Sequence, residues 1–266
     1  MLINKIISTF FSKKRKSQYK YAFFIFEFIT KIYSKLMGFL EDIFYKDKKH
    51  KYSFNKSGVF KFELAFNATN FIKNSKRIKI DDSLSIYCLK EEDVKKLIKN
   101  IFNGNTQSLI SKKTGFKYSI DYLRIYENNH VSINNQLSKN IREAHYDKSF
   151  SRNMLKIFIP LNIDLNSGPL KVSFINSSNL SQVYKSNLTN CTFLTGSGEL
   201  IYGVLPNLCW HQEGNPKEGS SAKQIMFQLN PSNRWQYRED LYLRQIKTEN
   251  KFSSFSSLFF KKISIN

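Results

Sequence analysis

The sequence predicts a mainly β fold with flanking helices, of the sandwich or jelly-roll kind, and three observations predict it. From Tyr118 onward, short runs rich in β-branched and aromatic residues recur: 120–126 (IDYLRIY), 154–160 (MLKIFIP), 170–175 (LKVSFI), 199–204 (ELIYGV) and 224–229 (QIMFQL). Turn-forming clusters bracket them, Asn166-Ser167-Gly168-Pro169 and Thr195-Gly196-Ser197-Gly198 among them. Aromatic residues make up 15% and hydrophobic residues 41% of the 266, which suits one sizeable core with an ordered, strand-rich body. Many short strands joined by polar turns hide their apolar faces by closing into a barrel or stacking as two sheets.

The segments before Tyr118 read differently. Residues 1–16 place Ile3, Ile6, Ile7, Phe10 and Phe11 at helical spacing, followed by Lys13, Lys14, Arg15 and Lys16. That is the pattern of a basic amphipathic helix suited to an anionic membrane surface, with a frayed end as the equal alternative. Residues 20–45 read as a helix rich in Phe and Ile, expected to pack on the outside of the main domain. Its longest apolar stretch, 21–40, is broken by Glu27, Lys31 and Lys35, so no run reaches the ~18 residues a spanning helix needs. A charged linker follows at 46–56 (KDKKHKYSFNK). The expected division is a basic helical extension over 1–56, the main domain over 57–246 and a basic tail over 247–266. Apolar stretches stand at 59–66 and 84–89. Residues 91–102 put Val94, Leu97, Ile98 and Ile101 on one helical face, and Asn103-Gly104-Asn105 is expected to end that helix.

The formal charge is +21, from 42 basic and 21 acidic residues, and it is densest over residues 1–56. An anionic partner explains it, and so does codon bias, since Lys, Asn, Ile and Phe are all abundant. Nucleic acid is the weakest candidate, because no RNP, KH or helix-turn-helix signature is present. Cys88, Cys191 and Cys209 form neither a disulfide framework nor a CxxC knuckle, which points to a reducing compartment. The start MLINKIISTFFSKKRK carries its charge after the apolar stretch and has no small-residue cleavage site, so it is not expected to be a signal peptide. A cytoplasmic protein is expected, with peripheral membrane contact through residues 1–16 as an open alternative.

The chemistry-bearing residues are few. Of four histidines, His50 lies in a lysine run and His130 in a polar loop. His145-Tyr146-Asp147 is an HxD triplet ahead of a strong strand, and His211 follows farther along the chain. Residues i and i+2 of an extended segment point the same way, so His145 and Asp147 can share a metal. Two imidazoles and a carboxylate occupy one face of an octahedral iron(II) and leave three positions open. An HxD alone is common, and its bland explanation is a surface His beside a surface Asp.

The surrounding sequence decides between them. The run HYDKSFSRNMLKIFIPLNIDLNSGPLKVSF contains Asp147, Ile159-Pro160-Leu161, Asp164 and Gly168-Pro169-Leu170, and downstream lies GELIYGVLPNLCWHQEGNPKEGSSAKQIMFQL. Both resemble the phytanoyl-CoA dioxygenase family of iron(II)/2-oxoglutarate oxygenases, over roughly residues 118–232. The resemblance implies a double-stranded β-helix with iron(II) held by His145, Asp147 and His211. It implies 2-oxoglutarate and molecular oxygen as cosubstrates. It also implies a basic residue after the distal His for the far carboxylate of 2-oxoglutarate. The family usually has Arg there. This sequence has Lys223, which supplies charge without a planar fork; a solvated Lys at a strand start is the bland alternative. Tyr122, Arg124 and Tyr126 share a face by period two and are expected to meet the cosubstrate, against the alternative of a polar outer face. The function expected is hydroxylation of a small or lipid-linked substrate. The competing reading is the same barrel without turnover, docking on an anionic surface.

Overall fold

In the computed structural model, the described residues are 20–47, 58–131, 147, 151–174, 191–207, 209–246 and 261–265, with side chains from residue 32. The elements run α1 (Lys20–Phe44), β1 (Val59–Glu63), α2 (Thr69–Ile72), β2 (Lys76–Lys79), β3 (Leu84–Cys88), α3 (Glu91–Ile101), α4 (Gly104–Thr114) and β4 (Lys117–Asn129). Then come β5 (Leu155–Asn162), β6 (Leu170–Phe174), β7 (Thr192–Leu194), β8 (Leu200–Val204), β9 (Cys209–Gln212), β10 (Ser221–Ser232), β11 (Gln236–Arg238), a 3-10 turn (Leu241–Arg244) and β12 (Lys262–Ser264). The large sheet has the order β1-β8-β5-β10-β4-β11-β12, with β3 also on β4 and β2 on β3; the small sheet is β7-β6-β9. Pairing is antiparallel except between β4 and β11. From β5 to β10 the chain passes back and forth between the two sheets. That winding is the double-stranded β-helix.

Alternation along the strands builds two cores. Ile225, Phe227 and Leu229 of β10 and Leu155, Ile157 and Ile159 of β5 face the helices, where Val94, Leu97, Ile98 and Ile101 of α3 meet them. The intervening Met226 and Phe158 face the small sheet and pack with Leu170, Val172, Leu194 and Cys209. In β4 the phase changes partway. Tyr118 and Ile120 belong to the helix-side core, but so do Leu123 and Ile125. The register with β10 slips where Gln228 pairs Tyr122 and Leu229 pairs Ile120, leaving Asp121 as the extra residue of a bulge. Beyond it, Tyr122 and Tyr126 face the space between the sheets.

Three details add to the sequence reading. Helix α3 ends at Ile101, just ahead of Asn103-Gly104-Asn105 as expected, and a second helix starts at Gly104. The Asn103 side chain accepts from the Thr106 N–H at 3.1 Å and caps α4. The tail is partly built into the fold, since Lys262–Ser264 pairs with β11. Lastly, α1 docks through polar contacts. Asn153 Nδ2 donates to buried Glu41 Oε2 at 3.1 Å, and Arg152 Nη2 lies 3.0 Å from Asp42 Oδ2. Ile32, Leu36, Phe39 and Ile43, at helical spacing, are exposed instead.

Candidate metal centre

The turn between β8 and β9 organises the site. Its Pro206 carbonyl accepts from the Asp147 backbone N–H at 2.9 Å, and its Leu205 carbonyl accepts from the Cys209 N–H at 2.9 Å. The first contact holds Asp147 beside the barrel; the second starts β9, which carries His211. Cross-strand pairing sets His211 opposite Val172 of β6. Two glycines permit that approach. A Cβ on Gly214 would lie 2.6 Å from the Gly168 carbonyl carbon, and one on Gly168 2.5 Å from Asn215. Gly168 also has φ 70°, which side chains rarely adopt. The backbones before β6 and after β9 therefore touch, and no side chain fits between them.

His211 is 6% exposed, and its Nε2 lies 3.6 Å from Asp147 Oδ1. Its Nδ1 is 3.2 Å from the Cys209 carbonyl oxygen. A carbonyl only accepts, so Nδ1 carries a hydrogen, and Nε2 is the ring nitrogen turned toward Asp147. Nε2 and Oδ1 thus converge inside the protein, as two ligands of one metal ion would. The donor set, imidazole nitrogen plus carboxylate oxygen, suits iron(II), and the second ring nitrogen anchored to a carbonyl is the usual support for a metal-bound histidine. Among the described residues no group of three or more His, Cys, Asp or Glu side chains gathers as a metal site. The third expected ligand, His145, lies outside the described residues.

Two residues that the sequence did not single out join this pair. Lys156 Nζ is 2.8 Å from Asp147 Oδ2, with its side chain only 8% exposed. Burial pushes the Asp147 carboxyl up, but the Lys156 ammonium beside it outweighs burial and holds it well below the usual carboxylate range. Glu213, two residues past His211, receives the Tyr126 O–H at 3.3 Å, and Gln224 Nε2 donates in turn to the Tyr126 oxygen. Burial pushes Glu213 up. Signals for both were present. A lysine at an alternate position of an otherwise apolar strand faces the side opposite its apolar neighbours, and residue i+2 from a candidate ligand shares that ligand's face.

The structure brings Tyr122, Arg124 and Tyr126 to one face, as period two requires. Tyr122 and Tyr126 lie in the inter-sheet core, and Arg124 sits with its guanidinium carbon 5.6 Å from the Tyr122 ring centre. Lys223 does not join them. It alternates with Gln224 and shares the face of Ile225 and Phe227, where its Nζ lies 4.4 Å from the Tyr87 ring centre and 3.9 Å from Glu127 Oε1. Tyr87 and Ser221 hydroxyls hold the same carboxylate at 2.6 and 2.8 Å. The expected role of Lys223 is corrected on that ground: in this register the side chain entering the barrel at this level belongs to Gln224.

No protein-family description matches the chain, and no curated protein matches it. Solved structures do. HygX from Streptomyces hygroscopicus with nickel and 2-oxoglutarate bound is 10% identical, with a TM-score of 0.46 over 68% of this chain and 86% of that one. EctD from S. alaskensis with 2-oxoglutarate and 5-hydroxyectoine is 12% identical, with a TM-score of 0.47 over 69% and 76%. The non-heme alpha ketoglutarate dependent epimerase SnoN from nogalamycin biosynthesis is 9% identical, with a TM-score of 0.43 over 67% and 80%.

Proposed function

We propose that the chain is an iron(II)- and 2-oxoglutarate-dependent oxygenase that hydroxylates a small or lipid-linked substrate, related to the phytanoyl-CoA dioxygenase family. One observation carries the reading: His211 Nε2 converging on Asp147 Oδ1 at 3.6 Å between the two sheets of a double-stranded β-helix. Asp147 and His211, with His145 as the third ligand, would hold the metal. When bound, iron(II) with 2-oxoglutarate and oxygen supplies the oxidation of a C–H to a C–OH bond, coupled to release of succinate and CO2. The chain's own residues bind and orient. Arg124, the guanidinium on the inter-sheet face of β4, receives the far carboxylate of 2-oxoglutarate in place of Lys223, with a fork that a lysine lacks. Tyr122 and Tyr126 line the approach beside it, and the apolar cluster around Phe158, Tyr202 and Met226 keeps water from the centre.

Anaerobic addition of iron(II) and then 2-oxoglutarate is expected to produce the weak visible charge-transfer band of the chelate. Its absence, with iron bound or not, would leave the binding-module reading in its place.

The membrane contact belongs to the same proposal. Residues 1–16 lie outside the described residues, but the apolar stripe Ile32, Leu36, Phe39 and Ile43 of α1 faces away from the barrel. Burying such side chains in a lipid interface is favourable by about 25 cal/mol per Å², and each nearby cation adds roughly 1 kcal/mol on an anionic leaflet. No helix among the described residues is long and apolar enough to cross a membrane. The full chain is expected to float with anionic vesicles at low salt. The double substitution Leu36→Ser, Phe39→Ser should reduce flotation several-fold, and equal flotation of the two proteins would remove α1 from the contact.

A further inference from the structure

Lys156 stands where the expected chemistry puts no lysine. Its strand β5 is apolar on the helix side, and alternation turns residue 156 toward the small sheet together with Phe158. Its cross-strand neighbours, Gln228 on β10 and Val204 on β8, are uncharged. The carboxylate it meets is Asp147, through Oδ2 at 2.8 Å, while Oδ1 faces His211. The two oxygens are thus divided: one toward the expected metal, the other toward an ammonium that is almost fully enclosed.

That division has an electrostatic result. A metal on Oδ1 and the ammonium on Oδ2 are like charges a carboxylate's breadth apart. At that range repulsion changes affinity at least about tenfold, even with an effective dielectric near 20. A dication with one Asp147 charge and one Lys156 charge leaves an excess of two positive charges, which a dianion offsets. We propose that Lys156 makes metal binding and dianion binding interdependent at this centre: it weakens the metal alone and strengthens the complex with a 2-oxo dicarboxylate. The inference rests on the oxygenase reading. By linkage, the factor by which the dianion tightens the metal equals the factor by which the metal tightens the dianion. Lys156 is a positioning and charge-coupling residue here, acting through Asp147.

Calorimetric titration of the full chain with cobalt(II), with and without saturating 2-oxoglutarate, tests it. In the unaltered chain 2-oxoglutarate should tighten cobalt by about tenfold or more. Lys156→Gln keeps a donor for Oδ2 but removes the charge; it should bind cobalt alone at least about tenfold more tightly and show a 2-oxoglutarate effect several-fold smaller than the unaltered chain's. Lys156→Arg restores the charge and should restore the coupling, a rescue that a purely structural role would not produce. Lys156→Met serves as a second uncharged variant if the glutamine variant fails to fold. An unchanged coupling factor in a folded uncharged variant overturns the proposal while leaving the oxygenase reading intact. A chain that binds no cobalt under either condition overturns that reading, and this inference with it.

Discussion

His211→Ala is expected to lower cobalt(II) or nickel(II) affinity by more than about 100-fold, beyond the 10–100-fold typical of losing an outer-sphere partner. The imidazole turns Nε2 toward Asp147 Oδ1 and is held in that orientation by the Cys209 carbonyl. Alanine removes the donor and leaves Asp147 paired to Lys156. Asp147→Asn should be comparably severe, because the amide keeps the shape and loses the charge. Glu213→Gln is the control. It lies next to the same ring and hydrogen-bonds Tyr126, yet no ligand role is assigned to it, and it should keep the metal within about tenfold. Calorimetry at fixed pH gives all three numbers. A His211→Ala protein that binds metal like the unaltered chain would remove the centre altogether.

The second large effect is on stability. Gly203 pairs directly with Phe60 across β8 and β1, and the Phe60 ring covers its face. A Cβ built on Gly203 falls 2.1 Å from Phe60 Cζ. The ring is 8% exposed and belongs to the helix-side core, so it has little room to turn away. Gly203→Ala is expected to cost about 3 kcal/mol, at the upper end of ordinary overpacking, or roughly 6–12 °C in melting temperature for a chain of this size. Phe60→Ala costs a similar amount by emptying the core. If the overlap is the cause, the double variant should be less damaged than the two losses summed, because the second change removes the collision made by the first. Strict additivity in thermal melts would show that Gly203 is needed for some other reason.

Much of this arrangement was legible from local pattern. The strands in 120–126, 154–160, 170–175, 199–204 and 224–229 appear where period two places them, because each buries a face and slippage would invert it. Helix α3 follows from the spacing of Val94, Leu97, Ile98 and Ile101. Its end at Asn103-Gly104-Asn105 was legible as well, though the same Asn and Gly also cap a following helix that they did not announce. Lys223 was misplaced by one residue. Spacing from His211 counts positions through the loop before β10 but carries no information on which face the strand presents when it re-enters the sheet. The register with Tyr126 decides that in favour of Gln224. The face of Lys156 was legible by alternation, but its pairing with Asp147, like the outward apolar face of α1 held by Arg152 and Asn153, depends on tertiary contacts.

The bulge at Asp121 has a broader consequence. It acts as a phase shift in a two-letter code, inserting one position so that a single strand is read in two frames. Before it, the outward letters of β4 spell part of the scaffold, with Tyr118 and Ile120 against the helices; after it, the same parity spells the lining of the barrel, with Tyr122 and Tyr126. Substitutions on even-numbered positions of β4 therefore divide into two populations at one residue. Those upstream register as a loss of foldedness, and those downstream as a change in what the interior accepts. Deleting that residue would merge the frames into one regular alternation that keeps Tyr118 and Ile120 on the helices and Tyr122 and Tyr126 on the lining, so the loss would fall on the buried contacts of Asp121 with Ser119 and Asn230.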